Sequence, residues 1–181
     1  MAAMNRPDHS SVRQPFEQLT PDFIIDAVET MGYSCDGRVF GLNSYENRVY
    51  QIGMTQGQPI IAKFYRPNRW SDDQIIEEHD FAFDLEDAEL PVVAPVTDDE
   101  GCSLFWHEGF RFALYPRKGG HAPELDNLDN LLILGRLLGR MHEVGSVCRF
   151  EHRPAIDVQS FGYDSVALIS EQFMPDDLRP C

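Results

Sequence analysis

The strongest constraint in this chain is a change of period. From Arg38 to Tyr65 the sequence RVFGLNSYENRVYQIGMTQGQPIIAKFY abandons helical spacing and runs as three β-rich stretches. The polar turns Ser44 to Asn47 and Thr55 to Gln58 separate them. Strands joined by so few residues are adjacent and antiparallel, so the spacing predicts a three-strand meander.

The flanking segments say what covers that meander. TPDFIIDAVETMG has Thr20 as N-cap, Pro21 at the first helical position, apolar residues at helical spacing and a stop at Gly32, which predicts a short amphipathic helix. SDDQIIEEHDFAFDLEDAEL predicts a second helix from about Asp72 to about Asp87, with Ser71 as N-cap and two acids in the first turn. PVVAPV then resumes extended structure, and CSLFWHEGFRFALYP is a hairpin with its turn near His107 to Gly109. RKGGHAPE is a connector, and LDNLLILGRLLGRMHEVG is a long helix ending at Gly145 that opens a second domain. Only one further short helix, Ser165 to Phe173, is expected beyond it, with no core of its own. The expected fold class is α+β: a five-stranded antiparallel sheet with a helix inserted after the third strand, followed by the first helices of a mostly α region.

Lys63 is the residue that this scheme does not explain. On the third strand Ile61, Lys63 and Tyr65 share a face. An ammonium among apolar side chains must snorkel to water, lose its proton or find an anion. The following helix offers one: its stripe of Ile75, Glu78, Phe81, Ala82 and Leu85 carries the carboxylate of Glu78, whereas Glu77 falls toward the polar side with Gln74 and Asp84. A lysine reaching solvent and a boundary glutamate are the plain alternatives. A cation held by a buried carboxylate can clamp phosphate oxygens of a nucleotide. The order strand, strand, lysine strand, glutamate helix, strand, strand, connector, helix is that of the small lobe of a protein-kinase-like fold.

Composition narrows the function classes. With 15 basic against 30 acidic residues, a net charge of −15, the chain repels nucleic acid and anionic lipid. No apolar run is long enough to span a bilayer, and the first residues hold no signal-peptide core. The four cysteines, Cys35, Cys102, Cys148 and Cys181, form no C-x-x-C pair, which points to a reducing cytoplasm rather than a zinc site or disulfide scaffold. Residues 1–18 are expected to form a flexible tail.

In order and spacing, LNSYENRVYQI, AKFYRPNRW, DDQIIEEHDFAFDL, LPVVAPV, GFRFALYPRKGG and LGRLLGRMHEVG resemble the N-terminal part of the stress response kinase A family. These are bacterial serine/threonine protein kinases with the aminoglycoside phosphotransferase or choline kinase type of fold. The resemblance runs from about Leu19 to about Ile156. It implies a small lobe over residues 19–116, a hinge over 117–125 and the start of a large lobe over 126–181. It also implies an ATP- and Mg2+-dependent enzyme of the cytoplasm, active in stress response on serine or threonine of protein substrates, and monomeric at full length. Carried over, Lys63 is the phosphate-binding lysine, Glu78 its helix partner, Ser44 a residue near ATP in place of a glycine-rich loop, and Tyr115 a hinge residue at the adenine edge. His142 is assigned a structural place in the long helix.

The family's catalytic loop, H-G-D-x-x-x-x-N, and its later D-x-D are missing from these residues: the six histidines stand in other contexts. The catalytic aspartate and the Mg2+ ligands are therefore expected beyond Cys181, and the 181-residue chain alone is expected to bind nucleotide without turnover. Two alternatives remain, a small-molecule kinase acting on an aminoglycoside, choline or homoserine hydroxyl, and an inactive lobe that binds without chemistry. An apolar surface is expected to lie open on the helix between Leu128 and Met141.

Overall fold

A computed structural model describes residues 16–175 and 178. Residues 1–15, on which most of the expected tail falls, lie outside them, as does Cys181. The element order is α1 (Pro21–Glu29), β1 (Cys35–Leu42), β2 (Arg48–Met54), β3 (Ile60–Phe64), α2 (Asp72–Asp87), β4 (Phe105–His107), β5 (Phe110–Pro116), α3 (Leu128–Gly145), a π-helical turn (Gln159–Tyr163) and α4 (Asp164–Gln172). The sheet is five-stranded in the order β1-β2-β3-β5-β4, with every neighbouring pair antiparallel. The α+β expectation is met.

Local chemistry accounts for the boundaries. Thr20 accepts from the Phe23 amide to start α1. A capping box starts α2: the Ser71 hydroxyl accepts from the Gln74 amide at 3.2 Å, and the Gln74 side chain accepts from the Ser71 amide at 2.9 Å. The β4–β5 hairpin turns on Glu108 and Gly109, both at positive φ, as a two-residue connection between right-twisted strands requires. The segment 90–96, expected to be extended, forms no strand: the Val92 amide turns back to Leu90 O at 2.8 Å, and the Val96 amide donates to Leu114 O of β5 at 2.7 Å.

β3 divides the molecule. Ile60, Ala62 and Phe64 are buried on one face, with Ile52, Phe112 and Leu114 of the neighbouring strands. α1 closes that face through Ile24, Ala27 and Val28, and Phe23 meets Phe110 edge-on at 5.5 Å. Phe16 packs on this core too, under the Arg48 guanidinium. The other face carries Ile61, Lys63 and Tyr65 and is covered by α2, where Tyr65, Ile75 and Ala113 form a smaller cluster.

Two compact units share the chain, residues 1–150 and 151–181. α3 lies in the first of these: Arg140 donates to Ala88 O at 2.6 Å, and Phe81 meets Phe150 edge-on. α3 buries no residue, and Leu128, Leu131, Leu132, Ile133 and Leu138 are exposed, which matches the expected open apolar surface. His142 is exposed in its last turn and contributes its carbonyl to the cap. In the second unit the π-helical turn and α4 likewise bury nothing.

Candidate nucleotide site

Lys63 and Glu78 meet. Lys63 Nζ lies 2.7 Å from Glu78 Oε1, and 4.7 Å from the centroid of the Tyr65 ring. The register explains the reach: Lys63 stands opposite Val49 on β2 and Ala113 on β5, a small residue that leaves room for the long side chain and for α2 above it. The carboxylate is less enclosed than the sequence suggests. The two side chains are 20% and 39% exposed, so this is a half-buried pair at a cleft edge rather than a buried one. An ion pair so wetted contributes little to stability, about 0–1 kcal/mol, and its use lies in orienting the ammonium.

Beside it opens a cavity of about 380 Å³, within the size range of small-molecule sites. Val49, Ile61, Ala82, Val93 and Pro95 give it apolar walls; Lys63, Glu78 and Tyr115 stand in its lining. Lys118 lines it as well and donates to Val92 O at 3.1 Å, clamping the connector after β5 to the segment after α2. The sequence carries lysine at positions 63 and 118 alone, and both line this cavity.

Three of the four expected site residues are thus brought together. Ser44 is apart: it is exposed in the β1–β2 turn, its hydroxyl donates to Leu42 O at 3.4 Å, and it is not among the residues lining the cavity. The turn itself is tied down. Glu46 accepts from the Trp70 indole and pairs with Arg69 at 3.5 Å, and Asn47 Oδ1 accepts from the Arg66 amide at 3.2 Å.

His79 is the residue that sequence reasoning overlooked. It is 1% exposed, whereas the stripe drawn through Glu78 predicted that carboxylate as the inward group. Its Nε2 lies 2.6 Å from the Tyr65 hydroxyl and 3.4 Å from that of Tyr115, and its Nδ1 lies 2.8 Å from Ser103 Oγ. The Tyr65 and Tyr115 hydroxyls are 3.3 Å apart. Burial pushes the Tyr115 phenol up to about 12, against the lowering effect of its Tyr65 hydrogen bond, with the nearby Glu78 charge pushing the same way as burial. The signal was available: His79 follows Ile75 by four residues and precedes Ala82 by three, so it lies on the same stripe. Arg111 adds a third tie on this face, donating from Nη1 to Asp72 at 2.8 Å and to Trp70 O at 2.6 Å.

The donor set fits a nucleotide: apolar walls suit a planar base, and an ammonium oriented by a carboxylate suits phosphate oxygens. It does not fit a divalent cation. Among the described residues no three His, Cys, Asp or Glu side chains converge as a metal-binding group.

Comparison with known proteins agrees with this geometry. The phosphotransferase enzyme family matches residues 39–165. Stress response kinase A of Escherichia coli strain K12 is 47% identical over 146 residues, 81% of this chain and 44% of that protein. The serine/threonine protein kinase RdoA of Salmonella typhimurium is 42% identical over 149 residues, 82% of this chain and 45% of that protein. Among solved structures, an amicoumacin kinase in complex with AMP-PNP, Ca2+ and Ami shares the fold with a TM-score of 0.65 at 21% identity, over 86% of this chain and 49% of that one. A microcompartment-associated aminopropanol kinase does so with a TM-score of 0.61 at 19% identity, over 78% of this chain and 47% of that one. The chain belongs to the phosphotransferase enzyme family, among the relatives of stress response kinase A. It spans less than half the length of the curated relatives it matches.

Proposed function

We propose that the whole protein is an ATP-dependent serine/threonine protein kinase of the cytoplasm that acts in stress response, and that residues 19–116 are its small lobe, 117–125 its hinge and 126–181 the opening of its large lobe. The observation that carries the reading is the Lys63–Glu78 pair at the edge of the apolar cavity. ATP supplies the transferable phosphoryl group when bound. Lys63, held by Glu78, would donate to its phosphate oxygens; Val49, Ile61 and Ala82 would exclude water from the base, and the backbone around Tyr115 to Arg117 would meet the base edge. The acid/base aspartate and the Mg2+ ligands belong to the remainder of the large lobe, so these 181 residues bind nucleotide without transferring phosphate.

The test is titration of this chain with AMP-PNP, followed by calorimetry or a thermal shift. The expected result is saturable binding that Lys63→Met weakens by roughly a hundredfold, the loss of about two charge-assisted contacts. Equal binding by wild type and variant would remove the site. The fold neighbours named for amicoumacin and aminopropanol favour a second reading, a small-molecule kinase. The 47% identity to stress response kinase A outweighs a likeness near 20%. Offering the full-length protein a serine/threonine peptide and small hydroxyl acceptors in competition separates the two.

A further inference from the structure

The Lys63–Glu78 pair cannot by itself hold α2 in place, because so exposed a pair contributes little to stability. One residue further along the helix stands a contact of another kind. His79 is 1% exposed and Tyr65 2%, and their polar atoms are 2.6 Å apart. The imidazole is engaged on both nitrogens, by the Tyr65 hydroxyl and by Ser103 Oγ, and Ser103 is itself buried to 7% exposure. A neutral imidazole has one donor and one acceptor, and hydroxyls can serve either, so both tautomers satisfy the network. Such a fully satisfied contact is geometrically strict, because any displacement of α2 breaks hydrogen bonds among side chains that are almost wholly buried, at the wall of the cavity that His79 also lines.

Tyr65 links that contact to the site. Lys63 and Tyr65 are two residues apart on one strand face, and the Tyr65 ring lies 4.7 Å from the Lys63 ammonium. Glu78 and His79 are therefore neighbours on α2 that grip, respectively, the ammonium and the aromatic ring it rests against. We propose that His79 is a positioning residue for Lys63: through the Tyr65 hydroxyl it fixes both the ring beneath the ammonium and the helix that brings Glu78 to it. The ion pair is then preorganised by a buried hydrogen-bond network rather than assembled when a ligand arrives. In its binding arm the proposal rests on the nucleotide reading of the cavity; in its labelling arm it does not.

The two lysines make a direct test possible. Acetylation of the 181-residue chain by a limiting amine-reactive ester, mapped by peptide mass, reports Lys63 with Lys118 as the internal reference. In the wild type Lys63 is expected to react more slowly than exposed Lys118. His79→Ala and Tyr65→Phe are each expected to raise the Lys63 rate by about fivefold to tenfold, the effect of losing one buried hydrogen bond, and to leave Lys118 unchanged. His79→Gln, whose amide can accept and donate, recovers part of the wild-type rate. Ile24→Val, which loosens the opposite face of the sheet, changes neither lysine. AMP-PNP affinity falls by a similar factor in Tyr65→Phe and not in Ile24→Val.

Lys63 rates in both His79→Ala and Tyr65→Phe equal to the wild-type rate would overturn the proposal, as would a parallel rise at both lysines, which marks global loosening. Tyr65→Phe keeps the ring and removes only the hydroxyl, so it decides the matter if His79→Ala fails to fold. A wild-type chain that does not bind AMP-PNP sinks the nucleotide reading and leaves the acetylation result to decide whether His79 positions Lys63.

Discussion

The two faces of the sheet are built from the same strands to opposite rules. Under α1, Phe64, Phe112, Ile52 and Leu114 interlock with Ile24 and Val28, and the Arg48 guanidinium sits at the margin over Phe16. Under α2, Arg111 meets Asp72, Lys63 meets Glu78 and Tyr65 meets His79, with a cavity left beside them. The alternation of β3, Ile60, Ala62 and Phe64 against Ile61 and Lys63, serves both at once. Apolar packing supplies stability without direction; polar ties fix where a helix sits to within a hydrogen bond, at little net gain in stability. One face holds the fold, and the other holds a cation in place.

That contrast can be broken from either side. The largest effect belongs to the dry face: Phe64→Ala should cost about 3–5 kcal/mol, read from the denaturant midpoint, while AMP-PNP affinity of the folded fraction stays unchanged. On the polar face Arg111→Met, which removes donors to Asp72 and Trp70 O, should cost about 1–3 kcal/mol. Ser71→Ala, which deletes half of the α2 capping box, should cost about 1 kcal/mol and speed hydrogen exchange in the first turn of α2. Lys63→Met should change stability by less than about 1 kcal/mol, although its effect on nucleotide is the largest of the set. A stability loss from Lys63→Met as large as that from Phe64→Ala would erase the distinction between the faces.

The smallest effect at neutral pH comes from Tyr115. Its folded phenol is pushed up to about 12 from 10.0, so the folded chain holds this proton more tightly than the unfolded one. The resulting stability is fully present below pH 10 and is lost as pH rises from 10 towards 12. Tyr115→Phe should therefore flatten the fall in melting temperature across that window, which a pH series of thermal melts would measure; an unaltered slope would contradict it.

Much of this was open to inspection in the sequence because it is local. The caps at Thr20 and Ser71, the span of α3 and the hairpin at Glu108 and Gly109 depend on residues a few positions apart. The pairing of Lys63 with Glu78 followed from one unmet charge on a strand and one on the next helix, fifteen residues away. His79 escaped because a histidine on an apolar stripe is satisfied by partners from β3, β5 and the loop before β4, and no period within α2 names them.

Periodicity and capping settled which segments are helix and strand and which side of each is apolar, because those preferences are decided within a few residues of chain. Only tertiary packing decided that Glu78 stays half in water, that His79 goes fully inside and that Ser44 stands away from the cavity. The first two outcomes depend on how α2 packs on the sheet, where Ala113, Tyr65 and Ser103 come from distant parts of the chain, and the third on the course of the β1–β2 turn.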